Sequence, residues 1–504
     1  MSNPLYDQLF GQHAGSDAAF LHLPDGRVTT YAAFLAQAAR LAHVLTDLGL
    51  APGDRLAAQV EKSPQALALY AACVQTGIIF LPLNTAYTTD ELAYFVENSG
   101  ARCLVCDSTK QSALRPLAAR LGAQLQTLDH DGTGTLSVRA QDMPGTFTTV
   151  PRTEDDLAAL LYTSGTTGRS KGAMLTHANL LSNALTLCTQ WHFTADDVLL
   201  HALPIYHTHG LFVATNITLA AGGAMIFLAR FDPDQIIAHI PSATAMMGVP
   251  TFYTRLLADD RFDRDLTEHM RLFVSGSAPL LAETHRQFET TTGHRILERY
   301  GMTETNMTTS NPYTGERRAG TVGFPLPGVD VKITDPESGD MLADGEIGQI
   351  EVRGPNVFKG YWQMPDKTAA ELRSNGFFIT GDLGRIDEDG YVQIVGRNKD
   401  LIISGGYNIY PKEVEQVLDD QPGVLESAVI GVPHDDLGET VLALIVPEDG
   451  SLPDLDAIAG AAAKRLARYK QPRKLIQVDA LPRNTMGKVQ KNVLRETYHA
   501  TFTD

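Results

Sequence analysis

The chain is poor in cysteine: four thiols, at positions 73, 103, 106 and 188, serve 504 residues. A disulfide-stapled fold is excluded, and so few thiols over this length fit a reducing compartment, the cytoplasm. Cys103 and Cys106 have Cys-x-x-Cys spacing, yet Leu104 and Val105 continue an apolar strand and no second ligand pair follows. Strand packing, rather than redox or zinc chemistry, is their expected role. Basic residues are in deficit, 41 Lys+Arg against 59 Asp+Glu, for a net charge of −18. That balance argues against nucleic acid, whose phosphates need a basic surface, and against docking on anionic membranes. The most apolar stretch, 66–83, is interrupted by Gln75, Thr76, Gly77 and Pro82, so no bilayer span is expected. Met-Ser-Asn-Pro-Leu-Tyr-Asp-Gln at the start lacks the basic and apolar regions of a signal peptide. Internal repeats, low-complexity tracts and a G-x-S-x-G nucleophile elbow are also lacking.

What is present is alternation. Ser63-Pro64 opens a helix and Gly77 closes it, with a strand at 78–81. Helical patterns at 91–98, 234–239 and 281–291 alternate with short apolar runs at 102–106, 243–249, 272–275 and 295–298. This is the texture of layered α/β sheets, whose ligands lie beyond the carboxyl ends of the strands. From Gly328 the strands 329–334, 348–353 and 391–395 are separated by Gly, Pro and Asp turns, predicting a barrel-like β subdomain. A helix from Pro411, strands at 428–432 and 441–446 and a helix at 455–468 predict a small α+β domain. The expected division is a large domain over 1–396 and a small domain over 401–504, joined at 397–400.

The strongest local signal follows an apolar strand: Thr163-Ser164-Gly165-Thr166-Thr167-Gly168-Arg169-Ser170-Lys171. Glycines admit a close ligand, hydroxyls and backbone N–H groups donate to phosphate oxygens, and Lys171 supplies charge. The spacing is not that of a Walker A loop. With Tyr300-Gly301-Met302-Thr303-Glu304, Thr380-Gly381-Asp382, Gly396-Arg397, Ser404-Gly405-Gly406-Tyr407 and Gly487-Lys488 in order, the chain resembles the acyl-adenylate-forming superfamily over essentially its whole length.

The resemblance implies ATP, Mg²⁺ and coenzyme A, with an acyl-adenylate made first and a thioester second. It implies nucleotide contacts from the 163–171 loop, Ser277, Ala278, Pro279, Arg299, Tyr300, Gly301, Met302, Thr303, Asp382 and Arg397. Thr163, Glu304 and Lys488 would be catalytic, with Glu304 holding the metal, a hard cation suited to carboxylate oxygen. Lys399 takes the hinge position. Ser404, Gly405 and Gly406 would enter for the coenzyme A step after the small domain rotates. Relatives of this kind are often controlled by acetylation of the catalytic lysine, so a lysine acetyltransferase acting on Lys488 is an expected partner. The basic run 464–474 is either a contact for coenzyme A phosphates or a helix end complementing the macrodipole.

For the acid, strand periodicity puts Arg271, Phe273, Ser275 and Ser277 on one face, and a buried arginine needs a carboxylate partner. His207 and Ser277 add polar groups, while His207-Thr208-His209 lacks a third ligand to complete a metal site. Segments 206–210, 271–279 and 298–305 resemble malonyl-CoA synthetases. That implies a small dicarboxylate, malonate or methylmalonate, held by Arg271, His207 and Ser277, with Arg286 as a second candidate. The competing expectations are a medium-chain or aryl acid, a carrier protein as acyl acceptor, and a non-catalytic nucleotide binder.

Overall fold

The computed structural model describes residues 2–163, 170–405, 407–434, 436–448, 453–484 and 487–502. Two sheets form the frame of the large domain. One has the strand order Gln124–Thr127, Cys103–Cys106, Arg55–Gln59, Ile79–Pro82, Leu157–Thr163, Lys171–Thr176, parallel but for its last pair. The other runs through nine strands. Its parallel centre comprises Leu297–Met302, Leu272–Ser275, Ala245–Gly248, Val198–His201, Ala224–Phe227 and Ala19–His22. One apolar cluster, through Phe20, Tyr70, Ala159, Leu187, Val274 and Ile350, joins the layers.

Local chemistry accounts for the elements. The helix Pro64–Thr76 begins where the Ser63 side chain accepts from the Ala66 N–H, and proline occupies its first turn. It ends at Gly77, whose φ of +72° suits glycine. A side chain there would meet Arg152 Cδ at 2.7 Å. All residues from Ala66 to Thr76 are buried, so the helix is held by packing on every side rather than by one apolar stripe. Cys103 packs in the main cluster and Cys106 in a second cluster on the other side of the sheet. Their i, i+3 positions on a strand point them apart, so strand packing is their role. Burial pushes their thiols up, to about 12 and about 11.

The barrel-like region takes the form of a four-stranded antiparallel sheet, Asp330–Thr334, Gly348–Arg353, Phe378–Ile386 and Val392–Arg397, in chain order. Beyond it, the long hairpin Val424–His434/Gly438–Pro447 packs one face with Ile402, Val414 and Ile458. The other face packs with Leu481 and Leu494. Those two clusters draw only on residues after 401, so the small domain has its own core. Among the described residues no helix is long and apolar enough to cross a membrane.

Candidate active site

Cross-strand register sets Asp382 opposite Arg397. Arg397 Nε lies 2.8 Å from one carboxylate oxygen, and the Tyr300 hydroxyl donates to the other at 2.5 Å. The Thr380 hydroxyl accepts from the Asp382 N–H at 3.1 Å. A ring, a buried carboxylate and a guanidinium thus share one corner, with the chemistry to take a base, ribose hydroxyls and a phosphate. Gly301 stands where a Cβ would fall 2.0 Å from the Asn306 carbonyl oxygen, in the tight pairing that follows Tyr300. Met302 and Thr303 continue that turn, the Met302 carbonyl accepting from the Thr305 N–H at 3.2 Å. The loop Ser277-Ala278-Pro279 is tied to the same strand by the Leu280 N–H, which donates to Glu298 Oε1 at 3.2 Å. Burial pushes the Glu298 carboxyl up to about 8.

The small domain reaches this corner. Lys488 is near Arg397, Asp382, Lys399 and Asp400, and burial, then the Arg397 charge, brings its ammonium down to about 8. A Cβ on the preceding Gly487 would sit 3.2 Å from the Thr251 hydroxyl of the large domain. The described arrangement is therefore one with Lys488 delivered to the nucleotide corner. Lys399 lies in the single 3₁₀ turn Asn398–Asp400, and Arg495 of the small domain pairs with Asp400 at 2.9 Å.

Glu304 is buried, and its Oε1 lies 3.0 Å from the Tyr361 hydroxyl. Burial raises its carboxyl above the usual range. Lys171 approaches the same hydroxyl at 3.2 Å and lies 4.2 Å from the centre of the Tyr361 ring. Thr163 ends its strand with its hydroxyl 3.5 Å from the Lys171 carbonyl. Ser164, Gly165, Thr166, Thr167 and Gly168, and also Gly406, lie outside the described residues.

A third group joins the His207 loop to Ser277. His209 Nδ1 lies 3.2 Å from Ser277 Oγ, and His207 Nδ1 accepts from the His209 N–H at 3.3 Å. Ser277 has a left-handed φ of +71°, a strained choice for serine and a common mark of functional loops. Arg299 is 3% exposed, and among the described residues its Nε and one terminal nitrogen have no partner. A Cβ on Gly276 would fall 2.3 Å from its guanidinium carbon, so glycine leaves it the room. Burial lowers the Arg299 guanidinium to about 9, and burial with the Arg299 charge brings His207 down to about 4. Behind them, buried Lys62 donates to His201 Nδ1 at 2.8 Å. His201 therefore donates through Nε2 to the Gly210 carbonyl at 2.9 Å, fixing the π-helical turn His209–Thr215.

Two expected anchors lie elsewhere. Arg271 is clasped by Asp197, Nε at 2.5 Å and a terminal nitrogen at 2.7 Å, and its other terminal nitrogen donates to the Trp191 carbonyl. It precedes its strand, whereas the site follows it, about 16 Å away at strand rise. Arg286 is 55% exposed and pairs with Glu283 on its own helix. The structure brings neither to the pocket. Arg299, expected beside the nucleotide, lies against Gly276 and near His207 and His209.

Ser404 and Gly405 remain on the small sheet, with Gly405 N–H donating to Leu437. Beside them Tyr407 and Tyr469, 58% and 41% exposed, stack with centroids 4.7 Å apart. The basic run beside this stack includes Lys470, which Glu413 holds at 2.6 Å.

A carboxylate-and-arginine nucleotide corner, a buried metal-competent glutamate and a lysine carried in by a second domain define an adenylate-forming enzyme. The chain belongs to the AMP-binding enzyme family, whose model matches residues 10–362; the model of the AMP-binding enzyme C-terminal domain matches 413–488. It is similar in structure to ATP-bound MatB from Rhodopseudomonas palustris, with TM-score 0.98, 57% identity and full coverage of both chains. A malonate–CoA ligase of Arabidopsis thaliana is 37% identical over 455 residues, 84% of this chain and 74% of that one. A feruloyl-CoA synthase of Amycolatopsis is also 37% identical, over 94% of each.

Proposed function

We propose that this chain joins malonate to coenzyme A through a malonyl-adenylate, releasing pyrophosphate and then AMP. The observation that carries the substrate is Arg299: a buried guanidinium whose donors lack partners among the described residues, beside His207, His209 and Ser277. An acid with a second carboxylate supplies the missing partner. A ferulate-like or medium-chain acid leaves the guanidinium buried and unpaired, which costs roughly 10⁴-fold in specificity.

One malonate carboxylate pairs with Arg299, so the other lies toward the nucleotide corner. An oxygen of that carboxylate attacks the α-phosphorus of ATP, a new P–O bond forms, and the bond to pyrophosphate breaks. Tyr300, Asp382 and Arg397 hold the nucleoside, and Lys171 and Thr163 meet the phosphates. Lys488 stabilises charge shared between the carboxylate and the α-phosphate. Among the described residues no group of three or more His, Cys, Asp or Glu could hold a metal ion. Glu304 nevertheless fits Mg²⁺, which takes one or two carboxylates and completes its shell with phosphate oxygens and water. When bound, the ion neutralises phosphate charge.

In the second half-reaction the small domain turns about 397–400, withdrawing Lys488 and bringing the 404–407 loop to the site. The coenzyme A thiolate attacks the acyl carbon and AMP leaves with its oxygen. The Tyr407–Tyr469 stack and the 464–474 cations offer the nucleotide end of coenzyme A a flat face and charge. The four unbridged thiols support a reducing compartment such as the cytoplasm. Lys488 is also the proposed target of a lysine acetyltransferase, since neutralising it removes charge stabilisation from adenylation.

Initial rates with ATP, Mg²⁺ and coenzyme A, comparing malonate, methylmalonate, butyrate and ferulate, test the reading. Turnover of the dicarboxylates and failure of the other two is expected. Equal turnover of ferulate or butyrate would overturn it.

A further inference from the structure

We infer that Glu371 is a positioning residue that holds the Lys171 ammonium in reserve and reclaims it as pyrophosphate leaves. This rests on the reading of Lys171 as a phosphate contact. Lys171 opens the strand that follows the phosphate loop, and Tyr361 and Glu371 lie against its ammonium. The Tyr361 hydroxyl lies at 3.2 Å, the Tyr361 ring beneath it, and Glu371 Oε2 at 3.4 Å. Both side chains are mostly enclosed, 18% and 22% exposed, so the ion pair is less screened than a surface one.

Glu371 ends the helix Pro365–Glu371, outside every motif that marks the nucleotide site. Its carboxylate has a second cation. Lys367, one turn earlier and itself 44% exposed, sits 2.6 Å from the other oxygen, Oε1. The Tyr361 hydroxyl donates to Oε2 at 2.6 Å. When Lys171 turns toward a triphosphate, Glu371 therefore remains paired and hydrogen-bonded. Neither resting position strands a charge, so Lys171 exchanges between two anions, one fixed and one arriving.

The consequence falls on product release. After adenylation, pyrophosphate keeps Lys171 and must give it up. A carboxylate within reach competes for that ammonium and weakens pyrophosphate retention. Without Glu371, the carboxylate left near Lys171 is Glu304, which also faces Arg397 and has the metal to hold.

Glu371→Gln tests this, because it removes the competing charge while keeping length and an acceptor for Tyr361. The inhibition constant of pyrophosphate, measured against ATP in the complete assay, is expected to fall about threefold to tenfold. The ATP KM should move the same way, the malonate KM should stay unchanged, and added pyrophosphatase should restore turnover. Glu371→Asp should lie between, which also covers a glutamine variant that does not fold. Damage to the fold weakens binding, so tightening is a readout that damage does not produce. Unchanged or weaker pyrophosphate inhibition in both variants would overturn the inference. Lys171→Ala separates the layers. If it alters neither ATP KM nor pyrophosphate inhibition, the phosphate role of Lys171 fails. If it weakens both while the Glu371 variants do not tighten pyrophosphate, only the reserve role fails.

Discussion

Asp197 grips Arg271 with both oxygens at the amino-terminal edge of the nine-stranded sheet, the opposite end from the loop that carries Ser277. Thr244, between them in the sheet, donates its hydroxyl to the same carboxylate at 2.7 Å. The three residues stand in a row, each preceding one of three adjacent parallel strands.

Exchange of the two arginines therefore separates structure from recognition. Arg299→Ala should raise the malonate KM at least 100-fold, the loss of a charged, desolvated contact, with ATP KM nearly unchanged. Gly276→Ala should act in the same direction by crowding that guanidinium. Arg271→Ala should leave malonate KM near its original value but cost about 3 kcal/mol of stability, because buried Asp197 loses its partner. Steady-state kinetics and urea unfolding of the same variants check both halves. A malonate defect confined to Arg271→Ala would reverse the assignment.

The pH profile follows from Lys488. Its ammonium titrates near 8 in the described arrangement, depressed from the free value, so the charged form prevails below that pH and is lost above it. Adenylation needs the charge, so kcat/KM for pyrophosphate formation should decline above about 8. Bound ATP is anionic and favours the ammonium, so the decline in kcat should lie at higher pH. Lys488→Arg should remove the limb that begins near pH 8, whatever its residual rate.

Lys399→Pro freezes φ in the turn between the domains. Adenylation, followed by pyrophosphate release, should survive largely intact, whereas transfer of preformed malonyl-adenylate to coenzyme A should slow at least tenfold. Equal loss in both half-reactions would remove the hinge from 397–400.

Cys103 and Cys106 should stay unbridged under oxidants and react with thiol reagents only on unfolding, because they face opposite sides of a buried strand. Labelling rates in native buffer and in denaturant distinguish this from a reactive pair.

Local rules were legible wherever the decisive partner is close in sequence. The Ser63 cap, the Gly77 terminus and the strand following it depend on residues within a turn or two, and 66–83 folds as that chemistry dictates. Alternation along a strand correctly isolates a face, but it carries no height. Arg271 shares the period of Ser277 and sits at the wrong end. Its partner, Asp197, is 74 residues away, fixed by parallel register that no local pattern encodes. Arg299 was legible in principle. Consecutive strand residues point oppositely, so Arg299 and its neighbour Tyr300 face different sides of their strand. The Tyr361–Glu371–Lys171 contacts join segments 10 and 200 residues apart and lay beyond any motif.

The scarcity of tryptophan has an optical consequence. The two indoles, Trp191 and Trp362, belong to the large domain, where Trp191 is fully buried and donates to Ser310, and Trp362 donates to the Asn98 carbonyl. Native emission therefore reports on the large domain alone. Tyr469, partly exposed and stacked on Tyr407, is a position where a single introduced indole would shine from the moving half. Stopped-flow fluorescence of such a variant could time the domain's swing separately from the chemistry on either side of it.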